Sequence, residues 1–123
     1  MRPREIRKFS YLLKHVNLQP DTVQEYSAGM EWSDIPFPNL KSVEYYGFDL
    51  WSGHRKPDRV EKYQSFRVEG EYLIFEETPD NAPSCMELLI LTDELVGRSG
   101  DTHHRYFEGF EIEGDRLKIV TGS

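Results

Sequence analysis

The chain has 123 residues, a formal charge of −7 and one cysteine, and Leu, Ile, Val and Phe make up about a quarter of it, enough for one folded core. Its longest apolar runs, Tyr72 to Phe75 and Leu88 to Leu91, fall far short of the roughly 18 residues of a membrane-spanning helix, and no apolar stretch of signal-peptide type follows the basic start. The lone Cys85 excludes an internal disulfide and a multi-cysteine zinc site, which suits a reducing, cytoplasmic location.

The charge is unevenly placed. Residues 1–16 carry Arg2, Arg4, Arg7, Lys8 and Lys14 against Glu5, a net +4, so the remaining residues carry −11. An acidic body disfavours nucleic acid and anionic lipid and favours encounter with a basic partner. Within the basic segment, Ile6, Phe9, Leu12, Leu13 and Val16 recur at three- and four-residue steps, the stripe of a helix with one buried face. The segment 1–16 therefore reads as an amphipathic helix starting near Pro3, where a missing N–H has no intrahelical partner. Residues 17–41 lose this periodicity and contain Pro20, Gly29, Pro36 and Pro38, so they read as a long connection.

From residue 42 to 121 the pattern changes to period two. In Val43 to Trp51, Tyr46, Phe48 and Leu50 share one face, read as the core side, and Tyr45, Gly47 and Asp49 share the other. Tyr63 to Val68 and Tyr72 to Glu77 read as a hairpin around Glu69-Gly70, pairing Val68 with Glu71 and Phe66 with Leu73. Met86 to Val96, apolar on both faces, reads as a strand in the middle of the sheet, with the amino-terminal helix as its cover. At the carboxyl end, Gly114-Asp115 forms a two-residue hairpin loop. Ile112 then opposes Leu117 and Phe110 opposes Ile119 on one face, with Glu113 opposite Arg116 and Glu111 opposite Lys118 on the other.

Two loops concentrate polar chemistry. Arg98 to Arg105 holds Asp101, His103, His104 and Arg105; adjacent histidines on an extended chain point to opposite faces, so a shared metal is disfavoured and contact with a ligand or partner is the functional reading. Trp51 to Arg59 places His54 and Arg55 beside an aromatic, a combination suited to holding a carboxylate or phosphate. Tyr45, Trp51, Tyr63 and Tyr72 project opposite the presumed core face and suggest the lining of a cup. Cys85 opens an apolar run and reads as an inert buried thiol. Nucleotide-binding glycine motifs and HExxH are absent, and 22 acidic residues make any carboxylate pairing uninformative.

The resulting expectation is a single-domain, mostly-β α+β fold over residues 1–123. In it the amino-terminal helix packs on a curved antiparallel meander of five or six strands, with a small open barrel as the favoured form. The expected function is that of a non-catalytic, cytoplasmic binding protein, immunity- or inhibitor-like, engaging a basic protein partner and using no cofactor or metal. The alternative is a carrier or modest enzyme taking a small hydrophobic or anionic ligand in an aromatic cup. Candidate binding residues are Tyr45, Trp51, His54, Arg55, Asp101, His103, His104 and Arg105.

Overall fold

A computed structural model describes residues 13–18, 31–49, 66–69, 72–99 and 105–122. Within them the elements are β1 (Ser42–Asp49), β2 (Phe66–Glu69), β3 (Tyr72–Glu77), α1 (Cys85–Ser99), β4 (Tyr106–Glu113) and β5 (Arg116–Gly122). The strands form one open sheet in the order β2-β3-β1-β5-β4, with α1 across one face. This is a mostly-β α+β fold, as expected, but three features of the expectation change.

The first is the helix. The segment read as a central strand is α1, because its buried residues Cys85, Leu88, Leu89, Thr92, Leu95, Val96 and Ser99 follow a helical step, not alternation. A capping box starts it: Ser84 Oγ accepts the Glu87 N–H at 3.2 Å while Glu87 Oε1 accepts the Ser84 N–H at 3.1 Å. The other early N–H groups are also satisfied. Cys85 N–H donates to the Asp34 carbonyl (2.9 Å), Met86 N–H to the Trp32 carbonyl (3.1 Å) and Leu88 N–H to the Ser84 carbonyl (2.9 Å). Residues 31–34, part of the long connection, thus cap the helix. At the other end Arg98, expected in a loop, is in the last helical turn and bridges Glu94 and Glu77 of β3. The expected helix over 1–16 is not seen in residues 13–16, which are irregular and lead to a single parallel bridge between Asn17 and Tyr106; residues 1–12 lie outside the described residues.

The second change is that the sheet is mixed. β1 runs antiparallel to β3 but parallel to β5, pairing Ser42 with Arg116, Val43 with Leu117 and Glu44 with Lys118. Lys41 and Ser42 both donate N–H groups to the Asp115 carbonyl, anchoring the start of β1 at the β4–β5 turn. A β-hairpin therefore sits on each side of β1, and the five described strands form an open sheet, not a barrel.

The third is the choice of face. Val43 and Tyr45 point to α1 and are buried, so the helix-covered side of β1 is the one read as its second face. The core combines them with Leu73 and Phe75 of β3, Phe107 of β4, Leu117 and Ile119 of β5, and Val16, Leu18 and Leu40 from the irregular segments.

The carboxyl-terminal hairpin pairs as expected at all four positions, with Gly114 at φ +64° supplying the backbone that a tight hairpin turn needs. The β2–β3 hairpin is shifted by two from the expected register. Glu69 pairs with Tyr72, Val68 with Leu73 and Phe66 with Phe75. An even shift keeps Phe66, Leu73 and Phe75 on the core side, which is why the face was legible when the register was not.

Candidate functional site

The outer side of α1 carries two of the exposed large hydrophobic side chains among the described residues; the others are Ile35, Tyr72, Tyr106 and Ile112. Met86 and Ile90, four residues apart and so on one stripe, are 39% and 47% exposed. Glu87 and Glu94 are exposed alongside them. The capping contacts of residues 31–34 bring Glu31 and Asp34, both exposed, and the 51%-exposed Ile35 to the same end of the helix. The only cation of α1, Arg98, is engaged by Glu77 and Glu94; burial alone would lower its pKa, and those two carboxylates more than reverse that. The outer face of α1 is therefore aliphatic and acidic.

The stripe continues from Ile90 to Asp93 and Gly97, and there it is covered. Asp93 accepts N–H groups from Lys14 (3.3 Å), His15 (2.7 Å) and Val16 (3.0 Å). A Cβ added at Gly97 would lie 2.4 Å from His15 Cδ2, so the imidazole occupies the space that only glycine leaves. Arg105, expected at a ligand, serves this same docking: its Nε donates to the His15 carbonyl at 3.0 Å and its Nη2 to the Lys14 carbonyl at 3.5 Å.

Of the other sequence candidates, Tyr45 is 3% exposed against α1, with its hydroxyl 3.2 Å from Thr121 Oγ1, and so lines no cup. Trp51, His54, Arg55, Asp101, His103 and His104 lie outside the described residues, as does Tyr63. Tyr72 does project from the face opposite the helix, beside Tyr46, with ring centres 5.9 Å apart. Cys85 is the first residue of α1 and is buried; burial, then the nearby Asp34 charge, pushes its thiol pKa up, the opposite of an activated nucleophile. Among the described residues no three His, Cys, Asp or Glu side chains are grouped to hold a metal.

The sheet face away from α1 carries a charge network that satisfies itself. Glu44, its side chain only 4% exposed, accepts from Arg116 Nε (3.0 Å) and Nη2 (2.9 Å) and from Arg67 Nη2 (3.1 Å). Arg67 also pairs with Glu69 and, through Nε at 3.3 Å, with Glu76. These bonds hold both arginines protonated: Glu69 first and then Glu76 and Glu44 raise the Arg67 pKa against its burial, and Glu44 raises that of Arg116. Lys118 Nζ stands 4.4 Å from the Tyr46 ring centre.

Sequence reasoning passed over Met86, Glu87, Ile90, Asp93 and Glu94 because it took their segment for a strand. The signal that finds them is Ser84-Cys85-Met86-Glu87 ahead of an apolar run, the spacing of a capping box. No protein-family model, curated protein or solved structure matches the chain.

Proposed function

We propose that this is a non-catalytic, cytoplasmic binding protein of the immunity or inhibitor kind, and that it engages a basic protein partner through the outer face of α1. The observation that carries this reading is the outer face of α1, where Met86 and Ile90 are exposed beside Glu87 and Glu94, with the exposed Glu31, Asp34 and Ile35 near the start of the helix. The aliphatic side chains supply the desolvated centre of such an interface, and the carboxylates select for cations and steer the approach. The −7 net charge acts in the same direction at longer range.

The test is to capture partners on the immobilised full chain from lysate of the source cells, beside the variants Ile90→Arg and Glu87→Lys/Glu94→Lys. The expected partner is a basic protein that binds more weakly as salt rises from about 50 to 300 mM, and both variants lose it while staying folded; the charge reversal, which gives up the Glu87 capping contact and the Glu94–Arg98 ion pair, melts a few degrees below wild type. A partner held equally by all three, or one indifferent to salt, overturns the reading.

A further inference from the structure

β4 is an edge strand, and one side of it has no neighbour among the described residues beyond the single bridge of Asn17 to Tyr106 at its start. Glu113 and Arg116 flank the two-residue loop and so exchange hydrogen bonds; alternation then turns the N–H and C=O groups of Phe110 and Ile112 to the open side. Glu111, Ile112 and Glu113 are all exposed. Successive residues of a strand face opposite sides of the sheet, so exposure of three in a row leaves both faces of this end of β4 in solvent. A strand in that position is a template for another.

The side chains along this edge select which strand fits. Ile112 is 49% exposed on the helix side of the sheet, on the same face as the partly buried Phe110. On the opposite face, the cations that oppose Glu111 and Glu113 in register are drawn away to β1: Lys118 Nζ stands over the Tyr46 ring, and Arg116 Nε and Nη2 donate to Glu44. Among the described residues no cation lies within ion-pair distance of Glu111 or Glu113. Two uncompensated carboxylates therefore alternate with two apolar side chains. The β4 of a second copy would set glutamate against glutamate, whereas an extended segment alternating cations with aliphatic residues meets both rows at once.

We propose that the open side of β4 from Phe110 to Glu113 is a strand-addition site for an extended basic segment of a partner protein. Backbone hydrogen bonds at Phe110 and Ile112 supply the pairing, Glu111 and Glu113 select cations, and Ile112 packs against the aliphatic side chains of the segment. This surface is separate from the outer face of α1 and does not rest on the function proposed above.

The test titrates the isotope-labelled full chain at low salt with an end-blocked peptide of about six residues alternating lysine and valine, and reads amide hydrogen exchange by NMR. Saturating peptide is expected to slow exchange at Phe110 and Ile112 about tenfold or more, while a peptide alternating glutamate and valine leaves it unchanged. Ile112→Pro removes an outward N–H and none of those bonded to β5, and Glu111→Gln/Glu113→Gln removes the charge alone. Each is expected to weaken the protection at Phe110 while the amides bonded between β4 and β5 stay as protected as in wild type. Unchanged exchange at Phe110 and Ile112, or protection undiminished in both variants, overturns the proposal. Peptide-induced shifts confined to Met86, Ile90 and their neighbours on α1 also overturn it, whereas failure to capture a basic partner from lysate counts against the proposed function alone.

Discussion

The carboxylate of Asp93 on α1 gathers the backbone N–H groups of Lys14, His15 and Val16, nearly eighty residues earlier in the chain, with its shortest bond, 2.7 Å, to His15. Hydrogen bonds to a charged acceptor are worth about 1.5–3 kcal/mol each, less where water competes. Asp93→Ala is expected to cost about 2–3 kcal/mol in urea unfolding, and Asp93→Asn, which keeps one acceptor oxygen, to cost less. Equal loss in both would show that a neutral acceptor contributes nothing here and that the charge carries the whole effect; no loss in Asp93→Ala would overturn the role given to the carboxylate.

Gly97→Ala sets two effects against each other. In an exposed helix interior the change gains up to about 1 kcal/mol. Here the new methyl meets the His15 ring at 2.4 Å, and overpacking of that kind costs about 1–3 kcal/mol. Net destabilisation is expected, and His15→Ala in the same chain should turn the alanine back into a stabilising change. A double-mutant cycle in thermal unfolding reads this coupling directly, and additivity of the two changes would refute it.

The two arginines on Glu44 predict an order of stabilities. Removing either leaves the carboxylate with the other, whereas Glu44→Ala removes three charge-assisted bonds and is expected to cost about 2–3 kcal/mol. Arg67→Ala/Arg116→Ala should be worse than any single change, because it strands a buried negative charge. Denaturant midpoints for the four variants check the order; a single arginine variant as damaged as the double would break it.

Cys85 supplies a pH dependence. Burial, reinforced by Asp34, raises its pKa in the folded chain, so the folded state favours the neutral thiol more than the unfolded state does. Folding stability is then fully present below the ordinary thiol range near pH 8.5 and declines as pH rises above it, since the unfolded chain releases its proton first. Cys85→Ala should flatten that alkaline decline relative to wild type in parallel unfolding series. The native thiol should also react with a disulfide reagent at pH 8 far more slowly than in denaturant; comparable rates would mean the thiol is open to solvent.

What could be read in advance follows the range over which each signal acts. The β4–β5 pairing was legible because Gly114-Asp115 and the alternation on either side of it are all within a few residues. The Leu88 to Leu91 run was not, since a short stretch apolar on every side fits a buried strand as well as a helix, and only Ser84 and Glu87 distinguish them. β4 also carries an irregularity between Phe107 and Gly109 that local alternation does not announce. It puts Phe107 and Phe110, three residues apart, on one face with ring centres 4.9 Å apart. The roles of Tyr45 and Arg105 were missed because both depend on distant chain: Thr121 and α1 for one, His15 for the other.

The parallel pairing of β1 with β5 also orders events during synthesis. β1 lies at the centre of the sheet, yet its neighbour on one side follows it by roughly seventy residues, so a nascent chain holding only β1 to α1 exposes the flank of β1 to any strand it meets. A nascent chain of this protein thus keeps that flank of β1 open to misplaced pairing until the last hairpin emerges and closes it.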